Sequence, residues 1–202
     1  MKHVHVWQPG SSQRTLVTLH GTGGDEHSLL SLAQALDPTA NVLSPLGNVS
    51  EGSAPRFFRR LAEGIFDVPD LIARTHDLAD FIEEAALQYG FDRQRTVAVG
   101  YSNGANIAAS CLLLRPEALC GAVLIRAMVP LEPENLPNLI GKRVLILTGE
   151  FDPILPAENA QRLATMLRQY GADVTWELLR AGHEFTRRDV EISSEWLGSL
   201  CQ

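Results

Sequence analysis

The sequence has 202 residues, of which 45% are hydrophobic and 20% are charged, and its formal net charge is -7 at pH 7. This length and composition allow one sizeable core, so we expect a single domain over residues 1–202. The negative charge offers no basic surface to a phosphate backbone or an anionic membrane, so we expect neither a nucleic-acid partner nor membrane insertion.

Strand-like and helix-like segments alternate along the chain, which is typical of a mostly parallel sheet covered by helices on both faces. Short apolar runs predict seven strands, at 4–7, 15–20, 41–46, 96–100, 122–125, 143–148 and 174–179. Helical periodicity predicts helices at 26–36, 70–89, 104–114, 156–170 and 187–200. The predicted fold class is therefore α/β.

The segment 47–69 fits neither period and contains Gly52, Pro55 and Pro69. Such a segment is too long for an ordinary connection between two elements. We expect it to be a loop that covers the functional site. No insertion large enough for a cap domain separates the predicted strands.

The pentapeptide Gly100-Tyr101-Ser102-Asn103-Gly104 matches G-x-S-x-G and lies between a predicted strand and a predicted helix. A nucleophile elbow requires this context, because a tight turn exposes the serine hydroxyl at the edge of the sheet. Gly100 and Gly104 supply the small residues that let the crowded backbone pass. The bare motif also occurs at ordinary turns with a serine near an N-cap. In this context the pattern favours Ser102 as a nucleophile.

A serine hydroxyl is a weak nucleophile until a base takes its proton, so a histidine and an acid are required elsewhere in the chain. Asp152 follows the sixth predicted strand, and His183 lies in the loop after the seventh. Both positions are at the carboxyl ends of strands, where ligand sites of open α/β sheets lie. We expect His183 to act as base and Asp152 to orient it. Glu150, earlier in its turn, and Glu184, adjacent to the base, are competing acids.

The tetrahedral intermediate of acyl transfer carries a negative oxygen, which needs preorganised donors, usually backbone N–H groups. The glycine-rich turn 20–24 follows the second predicted strand, where hydrolases of this architecture place half of an oxyanion hole. We expect the donors to be the N–H groups of Thr22 and Asn103, with Gly21 beside the substrate. A glycine-rich turn can also cradle a phosphate, but neither the dinucleotide-binding nor the Walker pattern matches.

These motifs resemble those of the phospholipase/carboxylesterase group of α/β-hydrolases over nearly the whole chain. The segments that carry the resemblance are 19–26, 100–104, 148–153 and 182–184. The segments 44–49 and 55–60 are similar to a bacterial subgroup, the hydroquinone-resistance-associated carboxylesterases. The resemblance implies the α/β-hydrolase fold without a cap domain, the triad Ser102, His183 and Asp152, and the oxyanion donors Thr22 and Asn103. Dienelactone hydrolases, similar in size, use a cysteine nucleophile instead.

Several residues of the predicted covering loop are candidates for contact with the substrate. Phe57 and Phe58 either form a wall for the acyl group or pin the loop to the core. Arg56, Arg59 and Arg60 either receive an anionic group of the substrate or lie in solvent or in ion pairs.

Two further candidates, Arg126 and Met128, follow the fifth predicted strand. Both lie at the carboxyl edge of the sheet, so each can face the pocket. Arg126 either pairs with a substrate carboxylate or is a solvated or structurally paired arginine. Members of the bacterial subgroup often carry a histidine at this position.

The remaining features indicate a cytoplasmic protein without a metal or cofactor. The N-terminus has no apolar core of a signal peptide, and no run of about 18 apolar residues occurs. Cys111, Cys120 and Cys201 are odd in number and lack C-x-x-C spacing, which argues against a disulfide framework or a zinc site. His3 and His5 alternate on the first strand, and we expect solvated side chains there rather than metal ligands.

The predicted function is hydrolysis of small carboxylic esters of short acyl chain through an acyl-enzyme. No cofactor is expected, since nucleophile, base and oxyanion donors are all protein groups. The alternatives are a thioesterase or peptidase with the same triad and, in another class, a non-catalytic ligand receptor on a hydrolase fold. A homodimer is possible for any of these.

Overall fold

The structure, a computed structural model, describes residues 3–200. The strands in this range are β1 (His5–Gln8), β2 (Thr15–Leu19), β3 (Asn41–Pro45), β4 (Val49–Glu51), β5 (Ala54–Arg56), β6 (Arg60–Ala62), β7 (Ile65–Phe66), β8 (Thr96–Tyr101), β9 (Gly121–Ile125), β10 (Arg143–Gly149) and β11 (Asp173–Leu179). The α-helices are α1 (Leu30–Leu36), α2 (Val68–Tyr89), α3 (Asn103–Leu114), α4 (Ala157–Gln169) and α5 (Arg187–Ser199). Short 3-10 helices at Arg93–Arg95 and Pro116–Ala118 precede β8 and β9.

One seven-stranded sheet organises the chain, with strand order β1-β3-β2-β8-β9-β10-β11. β1 is antiparallel to β3, and every other neighbouring pair is parallel. All seven predicted strands are present, and each end lies within one residue of its predicted position. The α/β prediction and the mostly parallel sheet are therefore confirmed.

Helices cover both faces of the sheet, and each face has its own apolar core. The strand residues alternate between the cores with the period of two that a pleated strand imposes. In β8, Val97 and Val99 belong to the core that α1 and α5 cover, whereas Ala98 belongs to the core under α2, α3 and α4. Because both faces are buried, the strands read as continuous apolar runs, which is why the sequence located them closely.

Two helices begin more than one residue away from their predicted positions. α1 begins at Leu30 rather than residue 26, because Asp25 Oδ1 accepts hydrogen bonds from the His27 N–H and the Ser28 hydroxyl and holds a turn there. α2 begins two residues earlier than predicted, at Val68, and the side chain of Asp67 caps it. A proline in the first helical turn is tolerated, because its missing N–H would have no intrahelical partner.

The sequence predicted a loop over the segment 47–69. In the structure this segment contains two short hairpins, β4–β5 and β6–β7. Phe57 and Phe58 are 1% and 0% exposed and belong to the core under α2 and α3. The ring of Phe58 meets the ring of Phe66 edge to face at 5.0 Å. Of the two alternatives for Phe57 and Phe58, the structure therefore supports the one in which they pin the segment to the core.

The remaining expectations concern membranes, thiols and metals. Within residues 3–200, no helix is both long and apolar enough to cross a membrane. Cys111 and Cys120 are free thiols, and burial raises the pKa of Cys111 to about 12; Cys201 lies outside the described residues. The same range holds no group of three or more His, Cys, Asp or Glu side chains suited to a metal ion.

The sequence predicted solvated side chains for His3 and His5, but both have partners within the protein. The ring nitrogen Nδ1 of His3 lies 2.8 Å from the carbonyl oxygen of Leu46, and its ring packs against Phe81 at 5.0 Å. His5 Nε2 lies 2.8 Å from the hydroxyl of Tyr89. Both rings connect the edge strand β1 to neighbouring elements.

Candidate active site

Ser102 occupies the tight turn between β8 and α3. Its backbone has φ 52° and ψ -113°, a conformation that L residues rarely adopt. The turn needs glycine on both sides, because a Cβ at Gly104 would overlap the carbonyl oxygen of Leu19 and one at Gly100 would lie 2.6 Å from the backbone of Ala105. The Ser102 N–H donates to the carbonyl of Ile125, which fixes the turn over β9. Strain of this kind persists only where the surrounding structure holds it.

The side chains of Ser102, His183 and Asp152 form one hydrogen-bonded chain. Ser102 Oγ lies 3.0 Å from His183 Nε2, and His183 Nδ1 lies 2.8 Å from Asp152 Oδ2. Asp152 Oδ1 accepts the N–H groups of Ile154 and Leu155 at 2.8 and 3.0 Å. Both carboxylate oxygens are thus engaged, and the Asp152 side chain is 1% exposed. The structure therefore brings together three side chains from the ends of three strands.

This arrangement fixes the tautomer of His183. An ionised Asp152 only accepts hydrogen bonds, so Nδ1 carries the hydrogen and Nε2 presents its lone pair to the Ser102 hydroxyl. Of the competing acids, Glu150 is exposed, and Glu184 Oε1 accepts the Gly182 N–H instead of bonding to the imidazole. The geometry favours Asp152 over both glutamates.

Two backbone N–H groups flank Ser102, at Thr22 and at Asn103. Asn103 is the first residue of α3, so its N–H has no intrahelical partner and lies at the positive end of the helix dipole. Thr22 lies in the turn after β2 and lines the same cavity as Ser102. In the part of the chain that the structure describes, neither N–H donates to a protein acceptor. Both are therefore available to a negative oxygen beside Ser102.

The segment 47–69 is attached to this site by hydrogen bonds on both sides of the nucleophile. His20, at the start of the glycine-rich turn, is 1% exposed, and its Nε2 accepts the Gly47 N–H at 2.9 Å. Its Nδ1 lies 2.7 Å from the carbonyl oxygen of Gly21, to which it donates. On the other side, Asn103 Oδ1 accepts the Phe57 N–H at 2.8 Å. Burial lowers the pKa of His20, which keeps the neutral form that both contacts require.

Of the two alternatives for Arg126, the structure supports the structurally paired arginine, and Arg126 does not line the cavity beside Ser102. Its guanidinium is fully buried and forms a two-pronged ion pair with Asp189, at 2.8 and 3.0 Å. Its Nε donates to the carbonyl of Gly182 and its Nη2 to that of Glu184, both at 2.9 Å. A buried guanidinium requires a carboxylate, and the capping box of α5 supplies it through Asp189. Arg126 therefore holds the two carbonyls on either side of His183.

Tyr101, which the sequence analysis did not single out, also supports His183. Its hydroxyl donates to the His183 carbonyl at 3.0 Å. Burial raises the pKa of Tyr101, so the hydroxyl remains a donor. The base is thus held through its backbone as well as through its ring.

A cavity of about 240 Å³ opens beside Ser102. It is lined by Thr22, Arg56, Arg60, Glu63, Gly64, Phe66, Tyr101, Ser102, Asn103, Asn106, Met128, Ile154, Leu155 and His183. Five of these residues come from the segment 47–69, so the segment forms part of the cavity wall. Met128 lines the cavity as predicted, and its N–H donates to Asn106 Oδ1.

Two other predicted substrate contacts lie outside this cavity. The side chain of Arg59 is 61% exposed and pairs with Asp67 and Asp70 on the outer surface. Gly21 lies behind Tyr101, whose ring a Cβ at position 21 would meet at 2.8 Å. Sequence position alone did not separate these residues from Arg56 and Arg60, because the hairpins set which arginine points inward.

Comparisons with known proteins identify the family to which the chain is similar. The Phospholipase/Carboxylesterase family matches residues 67–200. MhqD of Bacillus subtilis (strain 168) is 46% identical over 192 residues, which cover 95% of this chain and 96% of that protein. The crystal structure of a Bacillus cereus carboxylesterase is 49% identical with a TM-score of 0.96, covering 98% of this chain and 94% of that chain. A Mesorhizobium loti carboxylesterase is 33% identical with a TM-score of 0.89, covering 94% and 90%.

The Arg126 contacts generate a prediction about stability. Arg126→Met leaves the Asp189 carboxylate buried without its counter-charge, so the free energy of unfolding should fall by about 3–5 kcal/mol. Arg188→Met, which removes an exposed partner of Glu191 on the same helix, should cost less than about 1 kcal/mol. Urea unfolding measures both variants. Equal losses would contradict the structural role of Arg126.

The buried His20 generates a prediction about pH. Because burial lowers the folded-state pKa of His20 below the ordinary histidine value of about 6.5, the unfolded chain takes up a proton at a higher pH than the folded chain. The free energy of unfolding should therefore fall as the pH drops from about 6.5 through the lower folded-state pKa. His20→Gln should reduce the difference in stability between about pH 7.5 and about pH 5.5, as measured by urea unfolding. An unchanged difference would contradict this assignment.

Proposed function

The chain belongs to the phospholipase/carboxylesterase family, whose members are hydrolases acting on ester bonds, and from this premise we propose that it cleaves short-chain carboxylic esters through a Ser-His-Asp triad. The observation that carries the proposal is the hydrogen-bonded chain from Ser102 Oγ through His183 to Asp152, beside two unengaged N–H groups. Nucleophile, base and oxyanion donors meet at one point, which acyl transfer requires.

In the first half-reaction, His183 Nε2 takes the Ser102 proton as Oγ attacks the ester carbonyl. The carbonyl π electrons move to oxygen, and the N–H groups of Thr22 and Asn103 stabilise the resulting negative charge. Asp152 stabilises the imidazolium without becoming protonated. The intermediate then collapses: the bond to the alcohol oxygen breaks, His183 returns its proton to that oxygen, and an acyl-Ser102 ester remains.

Water completes the second half-reaction by the same steps. His183 takes a proton from the water as its oxygen attacks the acyl carbonyl, and the two N–H groups again stabilise the oxyanion. The bond to Oγ breaks, and the proton on His183 returns to Ser102. The carboxylic acid leaves, and the enzyme is restored without a change in oxidation state.

The cavity supports a substrate with a short acyl group. Its volume of about 240 Å³ lies below the roughly 300–1,000 Å³ of pockets for drug-sized ligands. Its large apolar and aromatic lining residues are Phe66, Tyr101, Met128, Ile154 and Leu155, while Arg56, Arg60 and Glu63 add charge to the wall. Little apolar surface is present to receive a long hydrocarbon chain.

The triad is tested by substitutions that preserve its packing. Ser102→Ala should remove turnover and fluorophosphonate labelling while the protein stays folded, because triad members act as a unit. Asp152→Asn should lower kcat by about 10²- to 10⁴-fold, since the amide cannot stabilise imidazolium. Glu150→Gln is the matched control and should lower kcat much less. The reverse ranking of the Asp152 and Glu150 variants would transfer the acid role to Glu150.

The acyl preference is tested with 4-nitrophenyl esters from acetate to dodecanoate, each below the concentration at which it aggregates. Each buried CH₂ contributes about 0.8 kcal/mol only where an apolar wall receives it. We expect kcat/KM to be highest among acetyl to hexanoyl esters and to fall for dodecanoyl. A higher kcat/KM for dodecanoyl than for butanoyl would refute the proposed short-chain preference.

A further inference from the structure

One wall of the Ser102 cavity carries two guanidinium groups that the triad does not use. Arg56 and Arg60 both line the cavity, from the first and second hairpins of the segment 47–69. Arg56 is 3% exposed, whereas the Arg60 side chain is 30% exposed. Arginine is seldom buried without partners for its N–H groups. The contacts of Arg56 therefore indicate which kind of ligand this wall of the cavity can bind.

The protein provides hydrogen-bond acceptors for only some of the N–H groups of the Arg56 guanidinium. Its Nε donates to the carbonyl oxygen of Phe58 at 3.1 Å, and its Nη1 donates to Thr22 Oγ1 at 2.5 Å. Nη1 also lies 3.4 Å from a carboxylate oxygen of Glu51. Among residues 3–200, Nη2 has no hydrogen-bond acceptor. The wall of the cavity therefore contains a cationic N–H donor, Arg56 Nη2, to which the described residues offer no acceptor.

The charges around this donor favour an anion. Arg60 forms a two-pronged ion pair with the same Glu51, so two guanidinium groups share one carboxylate, whose side chain is 44% exposed. Glu63 is the acid that lines the cavity itself, but it is exposed, so solvent screens its charge. The buried part of the wall keeps an excess positive charge. The free Nη2 of Arg56 can donate a charge-assisted hydrogen bond to a carboxylate, which is stronger than a hydrogen bond between neutral groups.

We propose that Arg56 and Arg60 form an anion subsite and that the substrate is an ester with a carboxylate a few bonds from the scissile carbonyl. The distance is short because Thr22 lines the cavity together with Ser102, and its hydroxyl accepts a hydrogen bond from Arg56. Arg56 Nη2 donates to the carboxylate, and Arg60 adds the second charge. The inference rests on the proposed hydrolysis at Ser102 and adds the chemical class of the substrate.

The experiment compares pairs of esters that differ only in charge. Monomethyl succinate is paired with methyl 4-oxopentanoate, in which a neutral methyl ketone replaces the carboxylate. Acetoxyacetate is paired with acetoxyacetone, which moves the test group to the alcohol side of the ester. Hydrolysis is followed by acid release, and kcat/KM is compared within each pair. The wild type should prefer the charged member of at least one pair.

The variants separate anion binding from a role in positioning Thr22. Arg56→Gln should lower kcat/KM for the preferred charged ester by about 10- to 100-fold and leave its neutral partner less affected. Arg56→Lys keeps the charge and should restore part of the preference. Arg60→Gln should weaken the same preference from a more exposed position, where folding is less at risk. Arg59→Gln removes an equal charge outside the cavity and should change neither ester.

Binding of succinate by calorimetry supplies a readout that does not need turnover. Wild-type protein should bind succinate, and Arg56→Gln but not Arg59→Gln should weaken binding at least about tenfold. Absence of charge preference in both ester pairs, or equal losses on charged and neutral esters in Arg56→Gln, overturns the anion subsite. Succinate binding without hydrolysis of any of the four esters would instead leave the subsite standing and defeat the proposed hydrolysis.

Discussion

The close approach of α3 to the end of β2 is the constraint on which the rest of the site depends. β2 and β8 are neighbouring parallel strands in register, with Leu19 opposite Gly100, so the turns that follow them meet at one edge of the sheet. Gly104 allows the backbone of α3 to pass directly over the carbonyl of Leu19. Any side chain there would push the helix away and separate Ser102 from the turn containing Thr22. The nucleophile and both proposed oxyanion donors are therefore placed by backbone packing.

Much of this arrangement could be predicted from the sequence, because its signals are local. A strand buried on both faces is visible as an apolar run, and G-x-S-x-G between a strand and a helix marks the elbow. The family suggested by these motifs is confirmed. The order of Ser102, Asp152 and His183 at strand ends sufficed to nominate three side chains that the structure joins by hydrogen bonds.

The incorrect predictions concern residues whose partners are distant in the sequence. Arg126 and Asp189 are 63 positions apart, so no local pattern identifies their ion pair. Asp189 belongs to the capping box of α5, which marks the start of a helix and does not indicate a buried arginine partner. The inward or outward direction of Arg56, Arg59 and Arg60 likewise depends on two hairpins that have only two- or three-residue strands. Strands this short carry too little periodicity to be recognised.

The position of the base has a consequence for the protein during its synthesis. A ribosome produces Ser102 well before His183, which follows 81 residues later, and Arg126 acquires Asp189 only after that. A nascent chain therefore displays the serine for many seconds without an imidazole to deprotonate it, at about 5–20 residues per second. Under the proposed mechanism, Ser102 therefore becomes reactive only after β11 and α5 are in place.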